Sequence, residues 1–159
     1  MKKVDLHIHT VPSISDRDFF FSLNSLKDYV EKLELDCIAI TNHNLFDKTQ
    51  FEYISKELSI KVFPGIEIDL EAGHILLISE NEDLQDFDLK CKKVTRLIKS
   101  KSDYITYEQL IEIFTSLSKI TTQLFAVGTP FGLQFVAVFQ SVPVVPATNI
   151  LVLFVTVTL

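Results

Sequence analysis

Positive charge is scarce and scattered in this chain. Fifteen Lys and Arg stand against 21 Asp and Glu, a formal net charge of −6, and no basic cluster occurs. That argues against a general nucleic-acid-binding surface, although a bound metal reverses the local field and still admits a phosphate. Cysteine is confined to Cys37 and Cys91, far apart, with Cys37 inside an apolar, strand-like run. Such usage fits neither a disulfide framework nor a cysteine-rich zinc knuckle. The start, MKKVDLHIH, has no uninterrupted apolar segment behind its lysines, so no secretory leader is read and a reduced, cytoplasmic protein is expected. The length suits one domain, and 47% apolar residues suffice for a core.

Two further absences are positional. No His follows His74 and no Asp follows Asp103. Lys119 is the last charged residue, and 121–159 is Val, Thr, Phe, Leu, Pro and small residues. The chain therefore divides into 1–119, ordinary in composition, and an uncharged, β-prone tail, 120–159.

What is present starts with Asp5-Leu6-His7-Ile8-His9-Thr10. On a strand the two-residue period puts Asp5, His7 and His9 on one face and Val4, Leu6 and Ile8 on the other. Two imidazoles and a carboxylate on one edge of a half-buried strand are a metal-ligand pattern. Lys3 to His9 reads as strand 1, and the Pro12, Ser and Asp-rich segment to Phe21 as a loop. A helix capped by Ser22 or Asn24 runs to about Leu35, with Leu23, Leu26, Val30 and Leu33 as its apolar stripe. Asp36 to Thr41 is a continuous apolar run, as in a parallel strand buried on both faces, with Asn42-His43-Asn44 at its carboxyl end. A second helix spans about Phe46 to Leu58.

Lys61-Val62-Phe63 leads to Pro64-Gly65 and then Ile66 to Leu70, which alternates so that Glu67 and Asp69 oppose Ile66, Ile68 and Leu70. Glu71-Ala72-Gly73 is a turn and His74 to Ile78 a returning hairpin strand, which leaves Asp69 and Glu71 as rim or turn residues. Helices follow from about Phe87 to Lys99, with Cys91, Val94, Leu97 and Ile98 inward, and from a capping box at Thr106-Tyr107-Glu108-Gln109, with Leu110, Phe114 and Leu117 on one side. Strands alternating with helices indicate an α/β fold with parallel strands, whose sites lie just past strand ends. His7, His9, Asp16, His43, Glu67 and His74 all fall at such places. Imidazole nitrogen and carboxylate oxygen suit Zn, Mn or Fe.

In order and spacing, DLHIHT followed by SD, then DCIAITNHN, PGIEID and GHILLI resemble the polymerase-and-histidinol-phosphatase (PHP) domain. The likeness is strong from Lys3 to about Ile78 and looser to about Lys119. The TNHN form looks most like PHP domains fused to ABC-type ATPases, which implies an ATPase domain or subunit as partner. The resemblance implies a distorted (β/α)7 barrel that holds up to three divalent ions and hydrolyses phosphoesters. It implies metal ligands at His7, His9, Asp16, His43, Glu67, which matches the bridging glutamate, and His74. It also implies that Asp5 orients a ligand from below.

Departures from the pattern bear on activity. Asn42 stands where the family has Asp, which would weaken the orientation of His43. The family's later His, ahead of a Pro, and its terminal Asp-x-His have no counterpart, so the barrel is expected to be incomplete and to hold fewer metal ions. Arg17 and Lys48 are the candidates for steadying a substrate phosphate. The tail reads poorly as a membrane span, because Pro143 and Pro146 interrupt it. Read as barrel strands it would leave an unusually charge-free surface. The favoured reading is that it is not the family's sequence, but translation past a frameshift, rearrangement or wrong boundary near Ser116 to Thr122. Open strand edges next to the segment 150–159 would favour aggregation. The function expected is a metal-dependent phosphoesterase, truncated and of doubtful activity, acting on a phosphorylated small molecule or a nucleic-acid end. The alternative is a non-catalytic metal-binding or regulatory PHP remnant.

Overall fold

Strand β3, Lys61–Leu70, changes partners halfway along, and that change positions everything else. The computed structural model describes residues 2–71, 73–80, 83–115 and the strand backbone of 150–155. Residues 61–64 of β3 pair in parallel with β2, Cys37–Ile40, which pairs in parallel with β1, Val4–Ile8. Residues 65–70 pair instead with β4, Gly73–Ser79, antiparallel. β4 in turn pairs antiparallel with β5, Ile150–Val155, giving the order β1-β2-β3-β4-β5.

The α/β class is as expected, and among the described residues the sheet is open, as in an incomplete barrel. The strand runs on through Pro64 and Gly65. Proline has no N–H for a ladder, and it sits where the β2 pairing ends, at Ile40 opposite Pro64. Gly65 lies at a close approach of three strands. A Cβ there would meet Thr41 Cγ2 at 2.6 Å, Ile40 O at 3.0 Å and Leu77 O at 3.1 Å. Within the segment 150–159, read as an aggregation hazard, residues 150–155 pair along the β4 edge. The junction near Ser116 to Thr122, Leu117 and the rest of the tail lie outside the described residues.

Among the described residues four helices pack on this sheet. Ser22 caps α1, Leu23–Leu33, through a bond from Ser25 N, and Asp47 caps α2, Lys48–Glu57. Phe46 therefore precedes α2, and its ring packs against Phe51 and Phe87. Asp83 accepts from Gln85 N and Asp86 N and starts α3, Leu84–Leu97, one turn earlier than expected. The capping box before α4, Tyr107–Thr115, forms in both directions: Thr106 N donates to Gln109 Oε1 and Gln109 N to Thr106 Oγ1.

Ile38, Ile40, Ile54, Ile66, Ile68, Ile75, Cys91, Val94 and Phe114 form the core. Leu97 and Leu33, expected inward, are 44% and 42% exposed. With about 100° per residue, Leu97 lies about 80° off the Phe87 direction, whereas Cys91, Val94 and Ile98 stay within about 40° of it. Leu33 falls in the last turn of α1, where Glu34 takes a left-handed φ of 54° and ends the helix.

Because two of the three close neighbours of Gly65 are backbone carbonyls, which cannot swing aside, Gly65→Ala is expected to destabilise the fold by about 1–3 kcal/mol. Urea unfolding measures it, and an unchanged midpoint would contradict the packing described.

Candidate metal centre

The site begins where β1 ends. Asp5 Oδ1 accepts from His7 N at 3.0 Å, and its Oδ2 accepts from Tyr29 Oη on α1 at 2.6 Å. That bond, with burial and the Asp5 charge, pushes the Tyr29 phenol up to about 12. Asp5 thus holds the His7 backbone from below, beside an irregularity in the β1–β2 register.

Past β2, residues 42–44 continue along the flank of β3 that the partner change leaves open. Glu67 N donates to Asn42 O at 3.1 Å and Asn44 N to Glu67 O at 2.6 Å, so His43 lies beside Glu67 as an isolated bridge. Asn42 does not orient the His43 ring as expected. Its side chain turns toward β1 instead, where Oδ1 accepts from Thr10 N and Val11 N at 2.6 and 3.0 Å and clamps the turn after His9. Asn44 adopts a φ of 53°, which asparagine tolerates well. Its amide grips Asp69 at both ends: Oδ1 accepts from Asp69 N at 2.9 Å and Nδ2 donates to Asp69 Oδ2 at 2.8 Å.

All four histidines of the chain converge on the carboxylate of Glu67, which is 2% exposed. Its Oε2 lies 2.8 Å from His7 Nε2, 2.9 Å from His9 Nε2 and 3.1 Å from His43 Nε2, and its Oε1 2.7 Å from His74 Nδ1. His43 and His74 also face Asp69 with their other nitrogens: Asp69 Oδ1 is 3.2 Å from His43 Nδ1 and 3.5 Å from His74 Nε2. Asp16 Oδ1 lies 3.2 Å from His9 Nδ1, and its Oδ2 accepts from Ser13 N at 2.8 Å.

Burial alone would raise both carboxyls. For Glu67 the contacts from His7 and His9 and the charges of His43 and His7 outweigh it and hold the carboxyl far below its usual range. For Asp69 the nearby His43 and the bonds from Ser15 and Asn44 do the same. Burial pushes His43 down, but Asp69 and the charges of Glu67 and Asp16 prevail, so its pKa is raised.

A family model for the PHP domain matches residues 5–135. The chain belongs to the PHP domain family. No curated relative matches it. A solved structure from Bifidobacterium adolescentis, described as a metal-dependent phosphoesterase, is 21% identical with a TM-score of 0.42. The alignment covers 58% of this chain and 32% of that one, so this chain spans about a third of that protein's length.

The PHP site's donor set fits divalent metal. His7 Nε2 and His9 Nε2 lie 3.1 Å apart while both face one oxygen, an arrangement that crowds N–H protons and that one shared cation relieves. Atoms held about 2.0–2.2 Å from a common ion stand about 2.8–3.6 Å from each other, as these do. His43 Nδ1 and Asp69 Oδ1 are buried and close, yet neither has an aligned hydrogen bond. Among the described residues three groups bring their ligand atoms within 4.8 Å: His7, His9 and Glu67; His9, Asp16 and His43; and His43, Asp69 and His74.

All six ligand candidates of the PHP motif are thus gathered in one place. Arg17 and Lys48 are not brought into these contacts: Arg17 is exposed, and Lys48 lies 3.3 Å from Gln85 Oε1 and 3.6 Å from Glu52 Oε1. Sequence reasoning missed Asp69, set aside as a rim residue because a turn follows it. Its spacing of two from Glu67 was the available signal. Ser15 and Asn44, which hold Asp69 Oδ2 at 2.7 and 2.8 Å, left no signal beyond their place in loops.

In the metal-free protein acid and base act with opposite signs. Asp69, held below 3.8, stabilises the fold above that value and loses the contribution as pH falls through its depressed pKa. His43, held above 6.5, stabilises the fold below 6.5 and loses the contribution as pH rises through its raised pKa. Zinc must displace the His43 proton, so affinity is expected to climb about tenfold per pH unit for each proton released, and to keep climbing above pH 6.5. Calorimetry in two buffers of different ionisation enthalpy counts those protons, and binding without release at pH 6.5 would contradict the assignment.

Proposed function

We propose that this PHP domain is a metal-dependent phosphoesterase. The observation that carries the reading is the convergence of four imidazoles on one buried, ionised glutamate. Burying a carboxylate costs several kcal/mol unless it is paired, and a cation-binding task accounts for keeping it there. The residues proposed to hold metal are His7, His9, Asp16, His43, Glu67 and His74, and their nitrogen and oxygen donors suit Zn, Mn or Fe.

When bound, a divalent ion supplies Lewis acidity at the phosphoryl group and a nucleophilic water near neutral pH. The chain's own residues prepare the rest. Glu67 stays ionised across the physiological range and presents both oxygens to the ring nitrogens around it. Asp16 fixes the orientation of the His9 ring through Nδ1, leaving Nε2 toward Glu67. Asn42 and Gln50 hold the backbone of Thr10, so the turn after His9 is rigid.

Positive charge for a substrate phosphate would come from beside Asp16. Arg17 follows it in the chain, and Lys101 donates to Asp16 O at 3.1 Å. Lys48, engaged by Glu52 and Gln85, would need to release them to take part. Phosphorylated small molecules and nucleic-acid ends are the proposed substrates, the cytoplasm the proposed location, and an ATPase domain or subunit the proposed partner of the intact protein.

Hydrolysis of an aryl phosphate with added Mn or Zn tests the reading. Loss of partners that merely orient metal ligands costs 10–100-fold, so Glu67→Gln, which alters a direct ligand, is expected to lower kcat/KM by more than about 100-fold. A folded protein that takes up no metal and turns over no ester would refute it. About one equivalent of metal without turnover would favour a non-catalytic metal-binding or regulatory remnant.

A further inference from the structure

We propose that Asp69 Oδ1, His43 Nδ1 and His74 Nε2 form a metal position of their own, beside the one at His7, His9 and Glu67. The inference rests on the reading of this domain as metal-dependent and adds a ligand that the PHP motif did not supply.

Three observations carry it. First, the oxygens of Asp69 are divided in role. Oδ2 accepts from Ser15 Oγ at 2.7 Å and Asn44 Nδ2 at 2.8 Å, while the buried Oδ1 has no aligned hydrogen bond. A carboxylate anchored by one oxygen and presenting the other is a built ligand. Second, what Oδ1 faces is two imidazole nitrogens, at 3.2 and 3.5 Å, the spacing of atoms about a common ion. His43 Nδ1 is likewise buried without an aligned partner. Third, each of these two rings has its other nitrogen against Glu67, at 3.1 Å for His43 Nε2 and 2.7 Å for His74 Nδ1.

That third contact holds both rings between Glu67 and Asp69. Each ring can donate N–H to Glu67 and turn its lone pair toward Asp69, the carboxylate–histidine–metal arrangement that orients ligating imidazoles. Glu67 then has two duties: its Oε2 faces His7 and His9, and it also accepts from the rings that serve the Asp69 position. The backbone makes the pairing rigid, because Asn44 bonds both Glu67 O and Asp69 N.

The test uses the full 159-residue chain loaded with cadmium-113 and observed through long-range correlations to histidine ring protons. One cadmium signal is expected to correlate with His43 and His74 and not with His7 or His9. Asp69→Asn should abolish that signal, weaken cadmium binding there by at least about tenfold, and leave the signal shared by His7 and His9. The proposal is overturned if His43 and His74 share a cadmium with His7 and His9, if they correlate with none, or if folded Asp69→Asn keeps the wild-type spectrum. Should Asp69→Asn fail to fold, the wild-type correlations alone decide. Ester hydrolysis by the same samples separates the two readings. A separate cadmium at Asp69 without turnover by the zinc or manganese form upholds this position and refutes the phosphoesterase. Turnover with a single shared cadmium does the reverse.

Discussion

A buried carboxylate needs partners, and in this protein the partners of Glu67 are all the histidines there are. At 2% exposure, Glu67 would be costly to ionise without them. With them it is the common point of β1, the loop after β2, β3 and β4, each of which contributes a ring or the carboxylate itself. Removing it would leave His7 without a carboxylate partner and the other three rings with only Asp16 or Asp69.

The sheet is arranged to allow this. Had β3 paired with β2 along its whole length, residues 42–44 would have no flank to occupy and His43 could not lie beside Glu67. Pro64 ends the β2 ladder, and Gly65 lets β2 and β4 come close to the same point of β3. Beyond it the two faces of β3 divide the work: Ile66 and Ile68 enter the core, and Glu67 and Asp69 enter the site. The same alternation that builds the core therefore builds the metal centre, and a slip of one residue would lose both.

Much of this was legible in the sequence, for physical reasons that can be named. His7, His9, Glu67 and the hairpin to His74 follow from two-residue periodicity and turn residues, and His43 from its place just after a buried strand. Caps at Ser22 and Thr106 are local chemistry and were read correctly. Asp69 was set aside because a turn two residues on made it look like rim; alternation puts it on the Glu67 face, and Ser15 and Asn44 anchor it there. Asn42 was judged by its neighbour in the chain, His43, whereas its side chain crosses to Thr10 and Val11. Leu97 and Leu33 satisfied a three- or four-residue step yet lie at the edge or end of their helices. That the uncharged tail supplies a strand to β4 could not be inferred from composition, which shows β propensity but not its partner.

The most direct test of Glu67 as the organising group is the long-range proton–nitrogen spectrum of the four imidazole rings in metal-free wild type and Glu67→Gln. The account predicts that the substitution moves the ring-nitrogen signals of His7, His9, His43 and His74 together. Unchanged ring signals for His43 and His74, with only His7 and His9 affected, would contradict it.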